Sequence, residues 1–515
     1  MRELTYIPTI RDMLDNSAEK FGNKAFIKYV ENGKVVEKSF IQVREDSLAI
    51  CRYLRNLSKE KLHIALVGKT SYEYIILATG ILISGNVLIP FAPEISEKEA
   101  KSLFARADVN FIVHDGALSD RIEGIAAEVK TVAPPLCISS SECAEKIYRD
   151  FSSDSEYASL SDFKVDENEP AIMIYTSGTT GVKKAVVHST KSFAANVMYT
   201  DLVEYVSDEA STLSVLPMYH VFCFSGDYVR NLRDGLPLAI NGNMRDLAQN
   251  LKIFQPSVMR IVPMVAQTLL KMIRATMSKN PSLTPRQAAE SVYGKNIEWL
   301  FSGGAYLSPE LASEYTQFGI FLKQGYGMTE AGCRVTVPDE RCSFESVGRV
   351  IDICEVRIVG GEIQIKTPSV MLGYYKMPEE TAKMFTDDGW LRTGDIGYLT
   401  EDNELYVTGR LKNLIILSGG ENVSPEAIEK KFNEYEIVSE VLVYGENDQI
   451  VAEVYPNYDY CEENGIDDPT DSITTIVRHL NSTSKASHLI SKTVIRKEPL
   501  EKTESGKIKR KETII

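Results

Sequence analysis

The nine residues from Thr176 to Lys184, TSGTTGVKK, contain two glycines, four hydroxyl side chains and two lysines, with Val182 as the one apolar side chain. That composition packs poorly and suits a polyanion. Gly178 and Gly181 let successive backbone N–H groups face one point, the hydroxyls of Thr176, Ser177, Thr179 and Thr180 add donors, and Lys184 adds charge. A triphosphate meets this description. The spacing is not that of a Walker loop, because two residues separate the glycines and the second lysine follows the later glycine by three. Taken alone, the stretch reads equally well as a solvated hairpin turn.

Other residues of chemical interest are spread over the later chain. KQGYGMTEAG, 323 to 332, puts a carboxylate, Glu330, beside a hydroxyl, Thr329, and just after Tyr326 and Gly327. GWLRTGDIGYL contains Asp395, VTGRLK contains Arg410 and Lys412, and EKTESGKIKR contains Lys507. Each has a plain structural reading as well. YGMTE alone is a polar turn, Gly303-Gly304-Ala305 after WLFS is a turn, and His220 amid aromatics is a core or rim histidine. Lys412 reads as a solvated loop residue, and the basic tail from Lys492 to Lys511 as a solvated or loosely docked segment.

The elements that must position these residues follow from periodicity. The spacing predicts a helix over Ile10 to Phe21, a hairpin over AFIKYVENGKVVEKSF with Asn32-Gly33 at its turn, and a helix over Ile41 to Leu57. Short apolar strands at 64 to 69, 87 to 91 and 111 to 115 alternate with helical stretches, which predicts a mainly parallel, helix-covered sheet. Ala171 to Tyr175 and Ala185 to Val187 read as buried strands flanking the hydroxyl-rich loop. Residues 119 to 169 are predicted as a strand or two plus a surface connection, and KSFAANVMYTDLVEYV, from 191, as a helix. A strand over Leu213 to Leu216 precedes His220. SVMRIVPMVAQTLLKMI, 257 to 273, reads as a strand followed by an amphipathic helix. Leu414 to Leu417 reads as a strand, Ser424 as an N-cap and Pro425 to Phe432 as a helix, with later strands near VLVYG and IVAEVYP and a helix near 472 to 484.

At 515 residues the chain exceeds one ordinary core, and its 43% hydrophobic and 25% charged residues are those of a soluble globular protein. A net charge of -15 argues against nucleic-acid binding. Eight cysteines without a C-x-x-C pair argue against a zinc site or disulfide framework, and reduced thiols in a cytoplasmic protein are expected. The N-terminus lacks the apolar core of a signal peptide. The most apolar window, Tyr74 to Phe91, is interrupted by Gly80, Gly85, Asn86 and Pro90, so it reads as a buried helix and strand and no transmembrane segment is expected.

TSGTTGVKKAVVHS resembles the phosphate loop of the acyl-adenylate-forming superfamily, [ST]-S-G-[ST]-T-G-x-P-K-G, with Lys183 at the usual proline and Ala185 at the usual glycine. KQGYGMTEAG is similar to that superfamily's fifth core motif, EKTESGKIKR to its tenth and PMYHVFCF to its fourth. SVGRV, GEIQIKTPSVMLGYY and GWLRTGDIGYLTEDNELYVTGRLKNLIILSGGENVSPEAIE follow in the same order. LKNLIILSGGENVSPEAIE and IVAEVYPNYD are most similar to the long-chain fatty acyl-CoA ligase branch.

The resemblance implies an α/β fold: a large N-terminal domain of helix-covered sheets, residues 1 to 411, and a small α+β C-terminal domain, 412 to 515, joined by a hinge at Lys412. It implies ATP, Mg²⁺ and CoA, or a carrier protein's phosphopantetheine, as ligands. Gly303, Gly304 and Ala305 would lie against adenine and Tyr326 would stack on it beside Gly327. Thr329 would meet the α-phosphate, Glu330 would hold magnesium, Asp395 would bind the ribose hydroxyls, and Arg410 ribose and phosphate. His220 would lie at the carboxylate end of the acid pocket, Lys507 would reach the acyl-phosphate linkage, and Gly419 and Gly420 would line the thiol tunnel. Phe222, Cys223 and Phe224 stand where amino-acid-activating members place an aspartate, with Asp227 too late to serve, so an uncharged acyl or aryl acid is expected, a fatty acid first. The implied reaction forms acyl-AMP and pyrophosphate, then a thioester. Loading of an acyl carrier protein, and a nucleotide-binding regulator without turnover, remain as alternatives.

Overall fold

Short apolar runs bounded by turn formers become strands, and the longer runs with helical spacing cover them. The computed structural model describes residues 7–137, 141–176, 183–198, 210–417, 422–484, 488–502 and 508–510. One seven-stranded sheet runs in the order Phe321–Gln324, Trp299–Ser302, Val258–Ile261, Thr212–Ser214, Leu238–Ile240, Ala25–Glu31, Lys34–Ser39. All its neighbours are parallel except the last pair, the hairpin, whose turn residues Asn32 and Gly33 take φ of 49° and 75° as a type I′ turn needs.

A second seven-stranded sheet runs Gly373–Tyr374, Lys184–Ser189, Pro170–Thr176, Val87–Phe91, His63–Val67, Phe111–His114, Leu136–Cys137. Its first two pairings are antiparallel and the rest parallel. The stretch expected to hold phosphate therefore joins two antiparallel strands.

Between the sheets lies the helix Tyr72–Ile83. Ser71 caps it by accepting from the Tyr74 N–H at 3.1 Å, and every residue in it but Glu73 is buried. It shares one apolar core with the helices Ile10–Phe21 and Phe40–Leu57 and with facing residues of both sheets. The Phe40–Leu57 helix opens on a capping box between Ser39 and Gln42. A second core joins the first sheet to the helices Leu247–Phe254, Pro263–Lys279 and Pro285–Tyr293, and a third backs the second sheet. Among the described residues no helix is long and apolar enough to cross a membrane.

The four-stranded antiparallel sheet Glu355–Val359, Glu362–Lys366, Leu391–Leu399, Leu405–Arg410 ends the large domain. A smaller C-terminal domain follows with its own core, running from Ile415 to Ile490. Its three-stranded sheet, Val438–Glu446, Gln449–Pro456, Ile490–Ile495, is covered by the helices Pro425–Phe432 and Thr470–Ser482. Ser424 caps the first of these, as its position before Pro425 predicts. The α/β class and the two-domain layout follow the sequence expectation.

Three local expectations change. Residues 119 to 169 hold one short strand, Leu136–Cys137, but also the helices Ser119–Ala126 and Ser141–Asp150. Each buries only two or three apolar side chains, such as Ile122 and Ile125, or Ala144 and Ile147, too few to show as a helical stripe among polar neighbours. The helix expected from 191 is observed over Thr190–Ala195, and 199 to 209 lie outside the described residues. Where it is described, the basic tail is docked. Lys492, Arg496, Lys502 and Arg510 pair with Glu446, Glu453, Glu440 and Glu429, acidic residues of this domain's own strands and first helix.

Gly80 tests the packing of the buried helix. A Cβ there would lie 2.4 Å from Ile50 Cγ2 and 2.5 Å from its Cβ, atoms that have no room to swing away. A helix-interior Gly→Ala change gains up to ~1 kcal/mol of propensity. Overpacking costs about 1–3 kcal/mol. Gly80→Ala should therefore lower the urea midpoint, and a raised midpoint would show that the two helices can move apart.

Candidate functional site

Thr176 and Lys184 face each other as the last paired residues before the loop. Of the residues expected to touch phosphate, Ser177, Gly178, Thr179, Thr180 and Gly181 lie outside the described residues, as do Gly419, Gly420 and Lys507. The base of the loop is described fully. Lys184, 9% exposed, sets its Nζ 2.6 Å from Glu380 Oε2 and 4.9 Å from the centroid of the Tyr374 ring. The hydrogen bonds that Lys184 and Lys383 donate to Glu380 hold that carboxyl down at about 2.

Tyr374 links this lysine to the fifth-motif turn. Gly373–Tyr374 pairs with Val186 and Val187, and the Tyr374 hydroxyl donates to Glu330 Oε1 at 2.7 Å. Burial and the neighbouring Glu330 carboxylate push that phenol well above its ordinary value. Glu330 sits in a single 3₁₀ turn, Thr329–Ala331, 9% exposed, and its carbonyl accepts from the Met371 N–H at 2.8 Å.

The same turn is gripped from below by His188, which is fully buried on the strand Lys184–Ser189. Its Nε2 donates to the Thr329 carbonyl at 2.7 Å, which leaves Nδ1 as the acceptor facing Ser192 Oγ at 3.3 Å. Burial pulls this imidazole down to about 4, so the ring is neutral at physiological pH. Asn196 adds a second clamp, donating to the carbonyls of Ala331 and Arg334 and accepting from the Arg334 N–H. Gly327 permits the approach. A Cβ there would lie 1.6 Å from the Cys333 carbonyl oxygen, a distance no side chain tolerates.

Tyr326, Asp395 and Arg410 form one cluster. Asp395 is 4% exposed; its Oδ2 accepts from the Tyr326 hydroxyl at 2.6 Å and its Oδ1 meets Arg410 Nε at 2.8 Å. Asp395 and Arg410 are register partners on adjacent antiparallel strands, so the pairing is set by the sheet. Each carboxylate oxygen keeps a second lone pair for a ligand hydroxyl. Lys412 follows at once, exposed, in the 3₁₀ turn Leu411–Asn413.

Gly303 lies under Phe222, and a Cβ at Gly303 would come within 2.9 Å of that ring. Gly304, at φ +75°, faces open space, and exposed Ala305 accepts from Gln324 Nε2 at 3.2 Å. His220 is exposed, its ring 4.7 Å from that of Tyr219. It lines a narrow apolar crevice between the helix Tyr72–Ile83 and the strands Val87–Phe91 and Pro170–Thr176.

The structure thus joins Thr176, Lys184, Thr329 and Glu330 through Tyr374 and His188, and joins Tyr326 to Asp395 and Arg410. Gly303 is linked to the His220 segment through Phe222. Sequence reasoning passed over Tyr374, Glu380 and His188 because a buried tyrosine, a helix-surface glutamate and a strand histidine carry no spacing signal. GYY at 373–375 was visible only as part of an ordered series of motifs.

Against known proteins, a family model described as AMP-binding enzyme matches residues 14–375, and one described as AMP-binding enzyme C-terminal domain matches 412–515. The chain belongs to the AMP-binding enzyme family. Its relatives in this family include a 2-succinylbenzoate–CoA ligase of Listeria monocytogenes, 29% identical over 92% of this chain and 93% of that protein. A long chain acyl-CoA synthetase 1 of Arabidopsis thaliana is 26% identical over 88% of this chain and 79% of that protein. The solved structure of ATP-bound MatB from Rhodopseudomonas palustris superposes with a TM-score of 0.81 at 21% identity, covering 97% of each chain. This likeness shows that the AMP-binding enzyme fold is shared.

His188 makes the site sensitive to acid. Its value falls from 6.5 to about 4 on folding, so the folded state binds fewer protons in between. The stabilisation is complete above pH 6.5 and is lost as the pH falls towards 4, by at most about 3 kcal/mol at roughly 1.4 kcal/mol per unit. Glu380, lowered from 4.5 to about 2, changes stability mainly below this window. His188→Gln keeps a donor for the Thr329 carbonyl, and should flatten the decline of the denaturation midpoint between pH 6.5 and 4. An unchanged slope would place the proton elsewhere.

Proposed function

We propose that this protein is an ATP-dependent acid–thiol ligase. A carboxylate oxygen of the acid attacks the α-phosphorus of ATP and the bond to the bridging oxygen breaks, giving acyl-AMP and pyrophosphate. The thiolate of CoA then attacks the acyl carbon and AMP leaves, giving the thioester.

The observation that carries this reading is the joint placement of Glu330 and Thr329 beside the base of the Thr176–Lys184 loop, with Tyr326 of the same KQGYGMTEAG segment holding the buried Asp395 carboxylate. The named relatives support the thiol, since they are a 2-succinylbenzoate–CoA ligase and a long-chain acyl-CoA synthetase.

In this reading the loop hydroxyls and Lys184 hold the phosphates, with Lys184 exchanging Glu380 for phosphate oxygens. Tyr326 stacks on adenine over Gly303 to Ala305, Asp395 takes the ribose hydroxyls, and Arg410, half-exposed, turns from Asp395 towards ribose and phosphate. Glu330, whose carboxylate is oriented by Tyr374, offers the hard oxygen ligand that Mg²⁺ prefers, and the ion would supply charge neutralisation between phosphate oxygens. The first step then needs positioning and neutralisation and no protein nucleophile.

The two steps divide between two lobes, 1–411 and 412–515, hinged at Lys412. The independent core beginning at Ile415 and the family match beginning at residue 412 support that boundary. In one pose Lys507 reaches the acyl-phosphate linkage, and in the other Gly419 and Gly420 line the thiol's path. For the acid, the long-chain-like wording around LKNLIILSGGENVSPEAIE supports a fatty acid, while the 2-succinylbenzoate relative supports an aryl one.

Pyrophosphate release over fatty, aryl and amino acids, with and without CoA, tests the reading; no release with any acid would leave only a nucleotide-binding regulator. CoA competed against a carrier protein's pantetheine identifies the acceptor. Lys507→Ala should slow acyl-AMP formation about 100- to 1,000-fold, the usual effect of losing one transition-state donor, while sparing thioester formation from supplied acyl-AMP. Lys412→Pro should slow the thiol step more than adenylation, because it stiffens the turn about which the small lobe would rotate. Equal losses in both steps would argue against a hinge there.

A further inference from the structure

The two lysines that close the Thr176–Lys184 loop turn to opposite sides of their sheet, as neighbouring residues on an extended chain do. Lys184 faces Glu380. Lys183, one residue earlier, faces the helix Glu97–Arg106, where its ammonium pairs with the Glu99 carboxylate. That side of the sheet is the third core, in which Met173, Ala185 and Val187 of the strands flanking the loop pack with Ala100, Leu103 and Phe104 of this helix.

Glu99, Leu103 and Arg106 stand at i, i+4 and i+7, so they form one stripe along the helix. All three grip the chain where it enters or leaves the loop. Before the loop, the Tyr175 hydroxyl donates to the Leu103 carbonyl at 3.0 Å. After it, Arg106 Nη2 donates to the Lys183 carbonyl at 2.7 Å while Glu99 takes the Lys183 side chain. The helix is itself anchored. Ser96 accepts from the Glu99 N–H at 3.3 Å, Lys101 pairs with Glu97 and Glu128, and the rings of Phe104 and Phe91 lie 4.9 Å apart.

Lys183 stands where the similar phosphate loops have proline, a residue that fixes its own φ. Here the same position is held from outside, by a carboxylate on its side chain and a guanidinium on its carbonyl. In the ligase reading Tyr326, Asp395 and Thr329 take adenine, ribose and the α-phosphate, which leaves the β- and γ-phosphates to the loop. We propose that Glu99 is a positioning residue for those two phosphates: acting through Lys183, and with Arg106 on the same residue's carbonyl, it keeps the loop's exit in register with its entrance at Tyr175. The donors of the loop are then arranged before ATP arrives, and binding does not have to order them. The proposal rests on the ligase reading and adds to it the residue by which this chain favours ATP over AMP.

The test is calorimetric titration of the full chain with ATP and magnesium, and separately with AMP, which has no β- or γ-phosphate for the loop to hold. Glu99→Gln should raise Kd for ATP about two- to five-fold, the range one partly exposed ion pair allows, and leave Kd for AMP and the denaturation midpoint unchanged. The sign is informative, because removing an acid near a polyanion site would by charge alone tighten ATP binding. On a Lys183→Met background Glu99→Gln should have no further effect on ATP, as expected when one residue acts through the other. Unchanged or tighter ATP binding by Glu99→Gln, an equal loss for ATP and AMP, or a further loss of the same size on Lys183→Met would each overturn the assignment while the ligase reading stands. A wild type that binds no ATP would instead remove the ligase reading, and this assignment with it.

Discussion

A buried carboxylate must be hydrogen-bonded or paired, and in this protein that constraint falls on Asp395. Its two oxygens are held by the Tyr326 hydroxyl and the Arg410 guanidinium, and those contacts tie three parts of the chain together. Tyr326 brings the fifth-motif loop, itself fastened by Thr336 Oγ1 accepting from the Tyr326 N–H at 2.9 Å. Arg410 brings the last strand of the large domain, two residues before Lys412. Loss of either donor would leave a desolvated charge without its partner, so the loop and the strand pair are positioned as one unit.

The second organising interaction is the line Glu330–Tyr374–Lys184–Glu380, in which charges of opposite sign are separated by one aromatic ring. A chain of net charge -15 can offer phosphate a favourable site only where cations are gathered locally. In the proposed function Lys184 would meet that need. Glu380 keeps it from being a bare charge in a nearly buried place, and the pair belongs to separate segments, so its geometry is adjustable. In the basic tail Lys492, Arg496, Lys502 and Arg510 follow the same logic, each matched to a carboxylate of the small domain's own strands and first helix.

These two polar clusters hang on apolar architecture. The Tyr72–Ile83 helix, buried on all sides, spaces the two large sheets. The same close packing that makes Gly80 obligatory leaves a narrow crevice on its opposite flank, between Ala78 and Phe224. Core packing and pocket shape are therefore set by one element, and the pocket is small because the helix is pressed into both layers.

Much of this was legible in the residues. The helix Ile10–Phe21, the Asn32-Gly33 turn, the strand Val87–Phe91 and the Ser424 cap depend on local sterics and periodicity, which a linear sequence records fully. The helices Ser119–Ala126 and Ser141–Asp150 were not legible, since a face only two or three side chains wide leaves no periodic trace. Nor were the roles of His188, Tyr374 and Glu380. Those depend on which distant segment arrives opposite each side chain, and on how much water is expelled when it does. Residue type and spacing determined the fold class, and the resemblance of ordered motifs pointed to the family. Only the tertiary structure decided which groups are buried and which are paired, because burial and pairing are properties of surfaces brought together by the whole fold.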